Sequence, residues 1–333
     1  MKNTQVNLIA RPVGTPTAEC WEIVENETPE LLDNQILIQT KYLSIDPAMR
    51  GWMNEGKSYI RPVRIGEVMR ALGAGVVVES KSDAFKAGDF VTAGVGVQEY
   101  AVLDAKEAVK VDPSFIPLPA YLGTLGMSGL TGYFGLLDTG QPKEGETVVV
   151  SGAAGAVGSV VGQIAKIKGC RVVGIAGGAD KCKYVVEELG FDACVDYKVG
   201  DLRKQLKEAC PEGIDVYFDN VGGEILDTVL GLINLRARIV ICGAISQYNA
   251  TEKPVGPSNY MSLLVNRARM EGIVVFDNAA NYGKAVKEMA GWIAQGKLNA
   301  NVYEVEGGVK AFPDTLIKLF KGENTGKLVL KVS

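Results

Sequence analysis

From residue 147 onward, short apolar runs alternate with helical patterns, and this alternation restricts the possible folds more than any other feature of the chain. Strand-like runs occur in "TVVVSG" (147–152), "CRVVGIAG" (170–177), "ACVDYK" (193–198), "DVYFDNVGG" (215–223) and "ARIVICGA" (237–244). Helical patterns of about ten residues fill most of the intervals. Such alternation predicts an α/β domain with a parallel sheet and right-handed crossovers. A further strand is expected at "GIVVF" (272–276).

The first third of the chain has a different pattern. Residues 1 to about 120 contain short strand-like runs broken by Gly and Pro, which predicts a β-rich, barrel-like domain. The tail "AFPDTLIKLFKGENTGKLVLKVS" predicts a helix, a turn and a final strand that pairs back into the first domain. We therefore expect one domain from residues 1–122 plus 304–333, and a second from residues 123–303.

Composition excludes several classes of function. With 35 basic and 39 acidic side chains, the net charge of −4 offers no basic field for nucleic acid. No apolar run approaches the roughly 20 residues that span a bilayer, so no membrane partner is expected. The six scattered cysteines form no CxxC pair and predict reduced thiols in a cytoplasmic protein. The absence of histidine excludes a histidine-based triad and any histidine-ligated metal.

A glycine-rich turn, "SGAAGAVGSVVG" (151–162), joins the first strand of the α/β pattern to a small-residue helix. Ala153, Gly155 and Gly158 occupy the positions of the dinucleotide fingerprint, which reads AxGxxG here. The start of the helix offers backbone N–H groups to an anion. The context therefore favours a dinucleotide site, and a tight turn without a ligand is the alternative.

The end of the second strand bears on which dinucleotide binds. "GIAGGADK" places no acidic residue at the tip, where NAD-binding folds usually carry one for the ribose hydroxyls. We expect Asp180 to cap the next helix, and Lys181 to lie in its first turn, where the helix dipole disfavours a cation. A nearby 2′-phosphate accounts for that cation, and Tyr197 and Lys198 are within reach of the same place. This pattern favours NADP(H), with a solvated surface lysine as the alternative.

Five motifs follow one another in a known order. "GTLGMSGLTGYFGLL", "AAGAVGSVVGQIAK", "YFDNVGG", "ICGAISQYN" and "GENTGK" resemble the medium-chain dehydrogenases/reductases. More narrowly, they resemble the zinc-independent prostaglandin reductases (leukotriene B4 12-hydroxydehydrogenases), plant alkenal double-bond reductases and their bacterial homologues, from about residue 35 to the C-terminus. The resemblance implies a GroES-like barrel domain beside a Rossmann domain with a doubly wound parallel sheet, and NADPH as cofactor. It also implies a homodimer joined through the edges of the Rossmann sheets.

Zinc-dependent members of the superfamily carry a catalytic Cys, a GHE stretch and a four-Cys lobe. Here "KYLSIDP" has no Cys, the GHE position falls at about residues 70–72, and residues 88–112 contain no Cys. We therefore expect no metal site and no zinc-assisted alcohol oxidation. A short-chain dehydrogenase is also excluded, because no tyrosine is followed by Lys four residues later.

The resemblance carries cofactor contacts over to several separate segments. These are Ala153, Ala154, Gly155 and Ala156 at the pyrophosphate, with Gly158 beside them; Lys181 and Tyr197 at the 2′-phosphate; Asn220 near the ribose or phosphates; Cys242, Gly243, Ala244, Ile245, Ser246, Gln247 and Tyr248 along the cofactor; Ile273, Val274 and Val275 at the carboxamide; and Asn324 from the tail. Structural interpretations remain beside these: a strand-to-helix turn at 220–223, a packed thiol at Cys242 and a buried strand at 273–275.

Tyr248 is the leading catalytic residue. With no His and no metal, a tyrosine hydroxyl and the ribose 2′-OH are reasonable donors to the oxygen of an enolate. The alternative is that Tyr248 only positions the cofactor and solvent supplies the proton. Arg50 and Tyr59 are expected to line the substrate pocket, with a structural salt bridge as the alternative for Arg50.

The family resemblance implies reduction of the C=C bond of an α,β-unsaturated ketone or aldehyde, a small-molecule substrate. Two alternatives remain. One is an NADPH-dependent quinone reductase, since zinc-free relatives also reduce quinones. The other is a cofactor-binding protein without turnover.

Overall fold

The computed structural model describes residues 1–333 and divides the chain into two units. The first comprises residues 1–123 with 302–333, and the second comprises residues 124–301.

The second unit is the α/β part of the chain. Its strands are Thr147–Ser151 (β8), Arg171–Ala176 (β9), Ala193–Asp196 (β10), Ile214–Asp219 (β11), Ile233–Ile241 (β12) and Arg269–Gly272 (β13). Its helices are Met127–Phe134 (α2), Ala156–Ile167 (α3), Ala179–Glu187 (α4), Leu202–Ala209 (α5), Gly223–Leu230 (α6), Met261–Val265 (α7) and Tyr282–Ala294 (α8).

All six strands of this unit are parallel and lie in the order β10-β9-β8-β11-β12-β13. Counted from β8, this is the 3-2-1-4-5-6 order of a doubly wound dinucleotide-binding sheet. From β8 to β10 each new strand is added on one side of β8, and from β11 onward on the other side, so the crossovers reverse direction between β8 and β11. Ligands of such sheets bind outside the carboxyl ends of the strands at this point, which is where the glycine-rich turn lies.

Helix α3 follows that turn and packs closely on its surroundings. Val160, Val161 and Ile164 are buried. Gly162 faces the ring of Phe191, and a Cβ on this glycine would lie 1.7 Å from the Phe191 Cζ atom. Only glycine therefore permits this approach of helix and ring.

The first unit is β-rich. Its strands are Lys2–Leu8 (β1), Trp21–Glu27 (β2), Gln35–Ser44 (β3), Gly73–Ser80 (β4), Phe90–Ala93 (β5), Tyr100–Asp104 (β6), Val109–Lys110 (β7), Val302–Val305 (β14) and Lys327–Lys331 (β15). Its helices are Ala48–Trp52 (α1) and Phe312–Lys321 (α9). The main sheet runs β14-β15-β3-β4-β5-β7, with β6 also paired to β3, and β1 pairs with β2.

The C-terminal strand returns to this first unit, as the sequence predicts. β15 pairs antiparallel with β3, placing Val329 opposite Ser44. At its start Lys327 is only 2% exposed, and its Nζ donates to Asp46 Oδ1 at 2.6 Å. The paired charges satisfy each other where an unpaired buried lysine would be costly.

Two local expectations are wrong. A strand was expected at 272–276, but the observed strand, β13, begins three residues earlier and ends at Gly272. Ile273 and Val275 therefore lie after the strand. Its residues are all exposed, so β13 lacks the apolar signature of a buried strand. The apolar run packs against the protein after the strand has ended. The side chain of Ile273 lies against Gly135, where an added Cβ would be 2.6 Å from Ile273 Cδ1. The N-cap of α4 is Gly178, at φ +101°, and Asp180 lies inside the first turn, where the helix dipole favours its charge.

None of the helices has both the length and the apolar composition required to cross a bilayer.

Candidate dinucleotide site

The turn between β8 and α3 leaves room for a ligand against its backbone. Gly152 adopts φ +60°, and Gly155 is the N-cap of α3, so no side chain caps the first N–H groups of the helix. A Cβ on Gly158 would lie 2.3 Å from the carbonyl oxygen of Gly152 and 2.9 Å from Ala153 Cα. Glycine is therefore required for the tight turn. The uncapped N–H groups at the helix start suit an anionic group such as a pyrophosphate.

A second turn, between β9 and α4, brings positive charge together. Tyr197 and Lys198 lie over Gly177, whose Cβ would be 2.8 Å from Lys198 Cε and 2.9 Å from Tyr197 Cε1. Lys181 is half-buried in the first turn of α4 and is paired with no carboxylate. Burial, and then repulsion by Lys198, lower the pKa of Lys181. An anion bound here would relieve this repulsion.

Asp196 also lies at this turn, but its side chain faces the backbone. Its Oδ1 accepts from the N–H of Gly178 at 2.8 Å and from the N–H of Lys198 at 3.0 Å. The carboxylate thus orders the turn that holds the two lysines. This role was not expected from the sequence, in which the only signal is the position of Asp196 at the end of a predicted strand.

Asp219, at the carboxyl end of β11, joins the ends of neighbouring strands. It is 1% exposed, and its Oδ1 accepts from the hydroxyls of Ser151 (3.0 Å) and Tyr217 (2.8 Å). The same oxygen accepts from the N–H groups of Val221 (3.0 Å) and Gly222 (2.9 Å). One buried carboxylate therefore shapes the turn after β11 and ties it to β8. This hub was also not expected from the sequence.

Asn220 continues the same network. Its Nδ2 donates to the carbonyl of Ser151 at 2.7 Å, and its N–H donates to the Ser151 hydroxyl at 3.0 Å. Its own carbonyl accepts from the N–H of Ile245 at 3.2 Å. The amide nitrogen of the side chain thus bridges two strand ends. This agrees with the structural interpretation of the 220–223 turn, and cofactor contact by Asn220 stays a prediction.

The "CGAISQY" segment after β12 folds back onto the turn that follows β11. The N–H groups of Cys242 and Gly243 donate to the carbonyl of Asp219 at 2.9 and 3.1 Å. Burial, and then the charge of Asp219, raise the pKa of the Cys242 thiol to about 12. This thiol therefore stays protonated at neutral pH, as expected of a packed cysteine rather than a nucleophile.

Tyr248 lies at the end of this segment. Its hydroxyl oxygen accepts from the N–H of Ala244 at 3.2 Å, and a Cβ on Gly243 would lie 2.7 Å from the same oxygen. The hydroxyl is therefore held against the backbone of residues 243–244. Ser246 fixes the intervening turn, because its hydroxyl donates to the carbonyl of Val221 at 2.5 Å.

The segment 273–275 extends from the sheet edge rather than forming a strand. The N–H of Ile273 donates to the carbonyl of Ile241 at 3.1 Å, and the carbonyl of Val275 accepts from the Tyr282 hydroxyl at 3.0 Å. Two of the backbone groups expected at the carboxamide are thus already bonded within the protein. Ile273 and Val274 are half-buried.

Three predicted residues belong to the first unit. Asn324 is 6% exposed, and its Nδ2 donates to the carbonyl of Gly326 at 3.0 Å. Tyr59 is 56% exposed, and its hydroxyl accepts from Trp52 Nε1 at 3.4 Å.

Arg50 forms no salt bridge, although one was the alternative expected for it. It is 4% exposed and donates to the carbonyls of Gly14 (2.9 Å) and Pro12 (3.1 Å) and to Asn54 Oδ1 (2.6 Å). All of these partners are neutral oxygens. The side chain ties α1 to the loop at residues 12–14, which leaves its guanidinium little capacity to line a substrate pocket.

The chain therefore has the architecture of a nucleotide-binding protein of the Rossmann class, with a glycine turn at the crossover reversal of the sheet and a separate β-rich unit. The family profile described as "N-terminal domain of oxidoreductase" matches residues 4–111, and that described as "Zinc-binding dehydrogenase" matches residues 156–293. The chain belongs to the zinc-independent medium-chain dehydrogenases/reductases, the family of the prostaglandin and 2-alkenal reductases. The predicted fold, a Rossmann domain with a GroES-like domain, is confirmed.

Similar proteins extend along nearly the whole chain. The NADPH-dependent curcumin reductase of Escherichia coli is 44% identical over 345 residues, covering 100% of this chain and 97% of that protein. The NADP⁺-dependent 2-alkenal reductase of Nicotiana tabacum is 40% identical over 341 residues, covering 100% and 98%. The crystal structure of CurA from Vibrio vulnificus in complex with NADPH is 45% identical, covers 99% of both chains and has a TM-score of 0.94.

Proposed function

We propose that this chain reduces the C=C bond of α,β-unsaturated ketones and aldehydes with NADPH. The observation that carries the proposal is the half-buried Lys181, which has no carboxylate partner and a pKa lowered by burial and by Lys198. This arrangement fits a 2′-phosphate, the group that distinguishes NADPH from NADH. Relatives of 40% identity or more act on curcumin and on 2-alkenals, which fits the same chemistry.

The residues of the second unit fit the rest of the cofactor. The uncapped N–H groups at the start of α3 suit a pyrophosphate. Glycine at 158 permits the tight turn that precedes them, because a side chain there would collide with the turn backbone. Bound NADPH supplies a hydride for the β-carbon of the substrate. Lys181 and Lys198 select the phosphorylated form through charge.

Tyr248 is the proposed acid. Reduction at the β-carbon places negative charge on the carbonyl oxygen, and a hydroxyl donor stabilises that charge. The N–H of Ala244 donates to the Tyr248 oxygen, which fixes the hydroxyl and makes it a better donor. Tyr248 either protonates the substrate or orients the cofactor, and Tyr248→Phe separates the two roles.

The test is NADPH oxidation with three sets of substrates: short alkenals, long-chain enones and quinones. Each alkenal is paired with its saturated aldehyde, and the products are identified by mass spectrometry. The expected result is oxidation with alkenals and enones, yielding the saturated carbonyl compound and no allylic alcohol. Activity with quinones alone would replace the proposal by a quinone reductase. Tight NADPH binding without turnover of any substrate would replace it by a binding protein.

We also propose a homodimer joined at the sheet edge. β13 ends the parallel sheet, and its four residues are exposed, which leaves one strand edge without a partner in the chain. Light scattering is expected to give twice the mass of the chain, and Met270→Lys to shift it toward the single mass. A monomer in the unmodified protein would contradict the proposal. We also propose a cytoplasmic location. None of the six cysteines forms a disulfide, as is typical of proteins in reducing compartments.

A further inference from the structure

Two cysteine side chains meet beside the turn that carries Lys181. Cys182 in α4 and Cys194 in β10 place their Sγ atoms 3.1 Å apart, and the Cys194 thiol donates to the Cys182 sulfur. Both side chains are partly exposed and neither forms a disulfide. A small oxidant can therefore reach a pair of thiols already in contact.

The two thiols are chemically unequal. Burial, and to a smaller extent the charge of Asp196, raise the pKa of the Cys182 thiol, while the hydrogen bond from Cys194 favours the Cys182 thiolate and opposes that rise. Burial and the neighbouring sulfur both raise the pKa of Cys194. The pKa of each thiol is therefore raised, but the thiolate forms more readily at Cys182, which makes Cys182 the better nucleophile of the two.

We infer that Cys182 and Cys194 form a reversible oxidation site that takes hydrogen peroxide or a small organic hydroperoxide. The Cys182 thiolate attacks one peroxide oxygen, the O–O bond breaks, and the products are a sulfenic acid at Cys182 and hydroxide. The Cys194 sulfur then attacks the Cys182 sulfur, a disulfide forms, and water leaves with the thiol proton. Two thiols are oxidised, one peroxide is reduced, and a dithiol reductant reverses the change.

Closing the bond changes the position of α4. A disulfide has an S–S distance of about 2.05 Å, so the two sulfurs must approach by about 1 Å. Cys194 is held against the sheet, where a Cβ on Gly174 would lie 3.3 Å from its sulfur. The movement therefore falls mainly on α4, whose first turn carries Lys181 next to Cys182. A change in NADPH affinity follows if Lys181 binds the 2′-phosphate, so this second step rests on the proposed function.

The experiment exposes the 333-residue chain, without cofactor, to hydrogen peroxide and then to catalase. The expected product has lost two hydrogens in intact mass, has two fewer titratable thiols and yields a Cys182–Cys194 cross-linked peptide. The Kd for NADPH is expected to rise about fivefold or more, the lower end of couplings between sites, while that for NADH changes less. Dithiothreitol is expected to restore the thiol count and the Kd for NADPH. NADP⁺ present during the exposure is expected to slow the oxidation.

Cys182→Ser and Cys194→Ser are each expected to abolish the mass loss and the change in Kd. Cys210→Ser is the matched control, because Cys210 is a buried thiol in the same unit, and this variant should still form the disulfide. Six intact thiols after exposure, or a cross-link between other cysteines, would overturn the oxidation site and leave the cofactor proposal standing. A disulfide that forms without changing NADPH affinity, in a protein that still depends on Lys181, would overturn only the coupling.

Discussion

Lys198 lies across Gly177 beside Lys181, and its charge adds to burial in lowering the pKa of Lys181. Two cations share one turn, and the carboxylate of Asp196 bonds to backbone N–H groups instead of to either lysine. Like charges held together without a paired carboxylate are unfavourable in the protein alone. An anion bound between them would make the arrangement favourable, and on this ground we propose that the turn selects a phosphorylated cofactor.

Lys181→Ala is expected to weaken NADPH binding by about 1.5–3 kcal/mol, or roughly tenfold to a hundredfold in Kd, because a charge-assisted hydrogen bond is lost. The Kd for NADH should change little. Fluorescence titration of both cofactors measures the difference. Lys183→Ala is the matched control, since Lys183 is an exposed lysine of the same helix that pairs with Glu187 at 3.8 Å. Equal weakening of the two cofactors would refute the assignment.

The affinity for NADPH is also expected to depend on pH. Lys181 binds phosphate in its charged form, and its pKa in the ligand-free protein lies below the ordinary 10.5. A bound phosphate raises that pKa, so affinity is greatest below the lowered pKa and falls as pH rises through it. Titrations between about pH 7 and pH 10 should show this fall for NADPH but not for NADH. Lys181→Gln should flatten the profile, and a fall that persists in this variant would assign it to another group.

The parallel sheet could be predicted because its central strands are buried on both faces and appear as continuous apolar runs. β13 was displaced in the prediction because an exposed edge strand, "RMEG", carries no such run. The glycine-rich turn was recognisable because its backbone geometry requires glycine at fixed positions.

The roles of two carboxylates could not be interpreted from the sequence. Asp196 and Asp219 each end a strand, where an acid that binds a ligand and one that binds backbone N–H groups look alike. Only the tertiary arrangement shows that both order turns. Arg50 illustrates the same limit, since its partners are carbonyl groups whose positions depend on the fold.

Replacement of Asp219 tests the hub between β8 and β11. Asp219→Ala removes the acceptor of four hydrogen bonds and is expected to lower the free energy of unfolding by about 3–5 kcal/mol. Asp219→Asn retains the Oδ1 acceptor and should lose distinctly less. Urea denaturation measures both variants. Similar small losses in the two would show that the hydrogen bonds to Oδ1 contribute little.

Gly162→Ala tests the packing of α3 on Phe191. The new methyl group would overlap the ring, so we expect a loss of about 1–3 kcal/mol or more in the free energy of unfolding. Phe191→Leu in the same chain should recover part of that loss, because the two changes share one space. Gly291→Ala is the control: no atom lies within 4 Å of its Cβ position in α8, and it should stabilise by about 0.5–1 kcal/mol. A tolerated Gly162→Ala would contradict the close contact.

Tyr248→Phe separates proton donation from cofactor positioning. If the hydroxyl donates to the developing oxyanion, kcat for an enone is expected to fall by about 10²–10⁴, the usual contribution of a positioned acid. The Kd for NADPH should then rise only slightly, because the lost bond to the N–H of Ala244 is a weak one at 3.2 Å. Single-turnover rates and fluorescence titration measure the two quantities on the same preparation. Ser246→Ala, which disturbs the neighbouring turn through its bond to Val221 and leaves the tyrosine in place, is the control for general loosening of the segment. A variant that loses cofactor affinity but keeps kcat at saturating NADPH would make Tyr248 a positioning residue and assign the proton to solvent.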